Sequence, residues 1–92
     1  MSATRHISSL VLRCHPARLE AVQTAVLQIA NTEIAIADRG GRIVVTMETD
    51  GEGEIADALT RMQLMDGVAN AALVFHQIER AADLEATQGE PS

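Results

Sequence analysis

The sequence predicts an α+β sandwich, a four-stranded antiparallel sheet with two helices on one face, and three observations predict it. Strand-like and helix-like segments succeed one another as strand, helix, strand, strand, helix, strand. Gly40-Gly41 lies between two strand-like runs, where a tight hairpin requires positive φ. The 92 residues are enough for one domain and not for two.

Residues 7–13 (Ile-Ser-Ser-Leu-Val-Leu-Arg) form a short apolar run with polar flanks, a first strand. Pro16 suits the first turn of a helix, where its missing N–H is not needed. Leu19, Val22, Val26 and Ile29 then recur at spacings of three and four, one apolar stripe. Glu20, Gln23 and Gln28 fall off that stripe, and Asn31 is a left-handed stop. Residues 33–38 alternate with period two, Arg39-Gly40-Gly41-Arg42 turns the chain, and the β-branched residues 43–48 return as a strand. Thr49 and Glu52 have the spacing of a capping box, and Glu52 and Glu54 suit the positive end of a helix. Ile55, Leu59, Met62 and Met65 make the second stripe, Gly67 ends it, and residues 68–77 are the last strand.

Two split βαβ units in this order give the ferredoxin-like βαββαβ sandwich. Right-handed crossovers put strands one and three in the middle of the sheet and strands two and four at its edges. The domain is expected over residues 1–80. Residues 81–92 are polar and acidic and are expected to form a disordered tail.

The chain is 47% hydrophobic with Phe75 as its single aromatic residue, so its core must be aliphatic. It lacks the aromatic platforms on which bases stack. Its net charge of −6 also opposes a phosphate backbone, so no nucleic-acid partner is expected. Cys14 stands alone, which leaves neither a disulfide framework nor a CxxC pair and fits a reducing compartment. The N-terminus has no export-signal pattern, and no apolar run approaches the roughly 18 residues of a membrane span. A cytoplasmic protein without membrane insertion is expected.

Two helices cover one sheet face and leave the other open. The alternation turns Leu10, Leu12, Ile43, Val45 and Met47 inward, with Val68, Ala71, Leu73 and Phe75. It leaves Val11, Val44, Ala72 and Val74 in the middle of the open face. Ser9, Arg13, Thr46, Glu48 and His76 surround them. Such a face fits a partner surface or the ordinary half-apolar side of an antiparallel sheet.

Chemistry is sparse. Cys14-His15 follows the first strand, where metal loops of this fold occur, but those loops need two thiolates, and Cys14 reads as a small packed hydrophobe. His6, His15 and His76 are scattered in sequence, although the first and fourth strands are neighbours in this fold. No metal or other cofactor is expected. Glu48, Asp50, Glu52 and Glu54 read as a solvated helix start, and Met62 and Met65 as core. No nucleophile, acid–base pair or phosphate loop stands out, so no enzyme activity is expected.

Particular residues go further than the pattern. The opening Ile7-Ser8-Ser9-Leu10-Val11-Leu12, the segment Glu33-Ile34-Ala35-Ile36 and the Gly41-Arg42-Ile43-Val44-Val45 strand with Glu48 resemble the NapD family. Gly67-Val68 followed by Leu73-Val74-Phe75-His76-Gln77-Ile78-Glu79 is the most specific stretch, with Phe75 where family members often carry Tyr. The resemblance spans about residues 6 to 79. It implies a cytoplasmic maturation chaperone that binds the twin-arginine signal peptide of the catalytic subunit of periplasmic nitrate reductase. Covering that signal would delay export until the molybdenum cofactor is inserted and the subunit has folded. A monomer is expected, with the peptide on the open face against Ser9, Val11, Arg13, Glu33, Val44, Thr46, Glu48, Ala72, Val74 and His76. Glu33 or Glu48 would lie nearest the arginines, and an added edge strand is the other binding mode. The competing readings are a small-ligand regulatory domain that pairs with a second copy, and a metallochaperone acting through Cys14.

Overall fold

The computed structural model describes residues 4–80. The sheet is built from β1 (Thr4–Cys14), β2 (Thr32–Ala37), β3 (Arg42–Thr49) and β4 (Val68–Arg80), and the helices are α1 (Leu19–Leu27) and α2 (Glu52–Gln63). The element order and the antiparallel sheet order β2-β3-β1-β4 are those the sequence predicts. Both long strands outrun their predicted limits, because β1 and β4 pair from Cys14↔Val68 out to Thr4↔Arg80. The acidic tail, residues 81–92, lies outside the described residues.

Pro16 opens a single 3-10 turn, Pro16–Arg18, before α1, and the His15 ring accepts the Ala17 N–H at its start. Asn31 has φ 68 and ends the helical segment as a left-handed residue. The Thr49–Glu52 capping box does not form. Helix α2 begins at Glu52 with Gly51 as its cap, so Glu52 stands one residue into the helix rather than three. The Thr49 hydroxyl donates instead to the Gly51 carbonyl at 2.9 Å, closing the strand-to-helix corner.

The core lies between the sheet and the helices. Leu10, Leu12, Ile43 and Val45 from the central strands meet Val26 and Met62 from the helices, all 0% exposed. Each such side chain contributes roughly 1.5–3 kcal/mol by leaving water. The β2–β3 hairpin is anchored to this core at Gly41, whose carbonyl accepts the Cys14 N–H at 2.8 Å. Gly41 has φ 97, and a Cβ there would stand 2.1 Å from the Cys14 oxygen, so only glycine permits the approach. Asp38 closes the turn by accepting the N–H groups of Gly40 and Arg42.

Three bulges interrupt the ladders. One lies between Ile34 and Ile36 on β2, and two lie on β4 opposite Ser9/Leu10 and Arg13/Cys14. The bulge just after Gly67 agrees with the sequence reading, in which Val68 and Ala71, three positions apart, both turn inward. The second β4 bulge does not. Leu73 pairs with Leu10 and Phe75 with Ser9, which leaves Val74 as an extra residue. Beyond it the alternation is reversed. Phe75, expected inward, follows Ser9 to the open face, and His76, expected on the open face, pairs with the fully buried Ser8 on the helix side.

Candidate peptide-binding face

The open face is a set of cross-strand rows fixed by the pairing. Val44, Val11 and Ala72 are directly opposite one another, and the β2 bulge adds Ile36 to the same row. The next row holds Glu33, Thr46, Ser9 and Phe75, with Val74 beside it. Glu48, Ile7 and Gln77 form the row beyond, and Arg42, Arg13 and Asn70 form the row at the opposite end. Ile36, Val74 and Phe75 are 48%, 59% and 49% exposed, while Val11 and Val44 are half-buried among their neighbours. The centre of the face is therefore apolar and has no covering layer among the described residues.

Its two ends differ in charge. Arg13 and Arg42 are opposite one another at one end, where Arg42 also reaches Asp38 at 3.6 Å. At the other end a cleft of about 520 Å3 is lined by Ile7, Asn31, Thr32, Glu33, Thr46, Met47 and Glu48. It brings two carboxylates beside apolar walls. Glu48 is bridged by Arg5 at 3.2 Å, with both side chains more than half exposed, a pair worth at most about 1 kcal/mol. Glu33 is in no ion pair among the described residues and is the carboxylate open to an incoming cation.

The structure thus gathers Ser9, Val11, Arg13, Glu33, Val44, Thr46, Glu48 and Ala72 on one surface, with Val74 exposed beside them. His76 is not part of it. It joins Glu52, Ile55, Ala56, Leu59 and Leu73 around a groove between α2 and β4 on the helix side. Three apolar residues of the face escaped the sequence reading. Ile7 was visible, since it shares parity with Ser9 and Val11. Ile36 and Phe75 were hidden, because the bulges that turn them outward depend on pairing with other strands. Cys14 lies in the core, and burial pushes its thiol pKa up, so it is a packed hydrophobe and not an open ligand.

No helix among the described residues is long and apolar enough to cross a membrane. The family model "NapD protein" matches residues 5–80. The chaperone NapD of Haemophilus influenzae is 34% identical over 73 residues, 78% of this chain and 78% of its own. The chaperone NapD of Paracoccus pantotrophus is 35% identical over 81 residues, 88% of this chain and 71% of its own. The solution structure of the E. coli Tat proofreading chaperone protein NapD has the same fold, with a TM-score of 0.72 over 96% of this chain and 86% of that one, at 24% identity. With the family model and two chaperone relatives matching along most of its length, the chain belongs to the NapD family of chaperones.

Proposed function

We propose that the protein binds the twin-arginine signal peptide of the catalytic subunit of periplasmic nitrate reductase on its open sheet face. By doing so in the cytoplasm, as a monomer, it delays export until the cofactor is inserted and the subunit has folded. The observation that carries this reading is an uncovered aliphatic face that ends in a two-carboxylate cleft. A twin-arginine signal has the complementary layout, a basic end followed by an apolar stretch.

The dimensions agree. From the Glu48 row to the Arg13 row is six residues along β1, about 20 Å. That is the length of about 13 residues of helix. A peptide helix laid along the strands would set its arginines at Glu33 and Glu48 and its apolar side over Val11, Val44, Ile36 and Phe75. Arg13 and Arg42 would lie beyond its far end, so a peptide running the other way would place its arginines against like charge. Electrostatics therefore sets orientation and encounter rate, and apolar contact supplies most of the affinity. Three or four peptide side chains at roughly 1.5–3 kcal/mol each offset the several kcal/mol lost on association. Binding in the micromolar range, about −8 kcal/mol, is within reach of this surface.

Isothermal titration with the signal peptide tests this reading. Saturation at one peptide per chain, weakened by an Arg-Arg→Lys-Lys replacement in the peptide, is the expected result. No heat and no saturation with folded protein would overturn it.

A further inference from the structure

The chemistry-bearing cluster that the open face does not use lies on the opposite side of the sheet. The β4 bulge that turns Phe75 outward also turns His76 inward, onto β1. There His6 Nδ1 and His76 Nε2 are 2.9 Å apart, with the rings near-parallel at a centroid separation of 5.2 Å. Glu52, the first residue of α2, brings a carboxylate oxygen to the same point, and the three ligand atoms all lie within 4.8 Å of one another. These residues are 46 and 24 positions apart in sequence (52 − 6 and 76 − 52), so only the fold assembles them.

We propose that His6, Glu52 and His76 form a binding site for a divalent transition-metal ion of the Zn2+ class. Two imidazole nitrogens and one carboxylate are the donor set that such an ion takes with one coordination position left open. Two nitrogens on one tetrahedral ion stand about 3.3 Å apart, given bonds of about 2.0–2.1 Å. The two nitrogens need to part by only a few tenths of an ångström, with the donor ring shifting its proton to its other nitrogen so that both lone pairs turn to the ion. Without an ion, one ring donates its N–H to the other, so neither nitrogen is left unpaired.

The surroundings support the assignment. His6 is 8% exposed, which keeps its ring held in place, while Glu52 is exposed and free to close onto an ion. The groove of about 250 Å3 beside Glu52 and His76 gives an entry route and room for a coordinated water. Its other walls, Ile55, Ala56, Leu59 and Leu73, are apolar and strengthen the electrostatics at its polar end. Ser8, the register partner of His76, has a buried hydroxyl without a hydrogen-bond partner among the described residues, so a polar group with unused capacity adjoins the site. The positive end of α2, worth about half a charge, opposes a cation, and the full negative charge of Glu52 outweighs it.

An ion here would tie together β1, β4 and the start of α2, the three elements around the β4 bulge. Binding of Zn2+ to the full chain is measured by titration against a competing chromophoric chelator, with X-ray absorption at the zinc edge. One ion per chain is expected, with two imidazoles and an oxygen donor in its shell and no sulfur. His6→Gln, His76→Gln and Glu52→Gln should each weaken binding at least about tenfold, the least a lost ligand costs when lost outer partners already cost 10–100-fold. Cys14→Ser and His15→Ala should leave it unchanged. Absence of saturable binding, sulfur in the shell, or any of the three ligand substitutions leaving affinity within about twofold would overturn the assignment. Should a histidine variant fail to fold, Glu52→Gln at an exposed position and the absorption spectrum of the unaltered protein still decide.

Discussion

Val11 is the residue on which the peptide-binding proposal is most exposed to refutation. It lies at the middle of the open face, paired with Val44 on one side and Ala72 on the other. Val11→Asp removes an apolar contact worth about 1.5 kcal/mol beneath a bound peptide. It also leaves a carboxylate that the peptide would have to desolvate without a partner, at a cost of several kcal/mol. Taking about 4 kcal/mol for the sum, affinity should fall about a thousandfold, from micromolar to millimolar. The fold should survive. The substituted side chain faces solvent in the free protein, and the strand-propensity scale spans only about 1 kcal/mol. Isothermal titration with the signal peptide measures the first effect and thermal unfolding followed by circular dichroism the second. A folded Val11→Asp variant that binds with unchanged affinity would refute the placement of the peptide on this face. Leu10→Asp, one residue away but fully buried, should unfold the domain and marks the contrast.

Three further outcomes are expected. Glu33→Gln should weaken binding of the twin-arginine peptide and flatten its salt dependence, with Glu48→Gln having the smaller effect because Arg5 already neutralises Glu48; equal effects in calorimetry at two ionic strengths would contradict this. Gly41→Ala should destabilise the domain by more than about 1 kcal/mol, since the left-handed backbone alone costs that much and the Cβ would strike Cys14; urea unfolding gives the number. Burial raises the Cys14 pKa, so the folded state keeps its proton where the unfolded thiol has lost it. That contribution is complete below the ordinary thiol value of about 8.5 and is lost as pH rises beyond it, and Cys14→Ala should flatten the alkaline side of the stability profile.

The element order, the hairpin, the strand positions and the left-handed Asn31 were all legible in the sequence, because each is written in local periodicity or in one residue's backbone preference. The helix stripes were legible for the same reason, and Val22, Val26, Ile55 and Met62 are buried as their spacing requires. What failed was parity past a bulge. Val74 is an apolar residue between two others, Leu73 and Phe75, so nothing local marks it as the unpaired residue. The extra position exists only because Leu73 and Phe75 take consecutive partners on β1. Ile36 likewise reaches the open face only through the bulge on β2, which exists in its pairing with β3. The capping box failed differently, since Thr49 was held at the end of β3 by its pairing with His6 and left to cap nothing. In the candidate site, the aliphatic centre was visible from alternation, whereas Phe75 and the His6–His76 approach were not.

The bulge at Val74 also carries slack in chain length. Removing Val74 would close the ladder with Leu73 and Phe75 still opposite Leu10 and Ser9, so every residue beyond would keep its side. Removing a residue between the two β4 bulges has no such remedy at its own position and must draw on one of them. The last strand should thus absorb a one-residue insertion or deletion near position 74 during evolutionary drift, while β1, which carries the register for both neighbours, should tolerate none. In this fold, length variation has a designated place, and it coincides with the strand that separates an apolar face from a histidine pair.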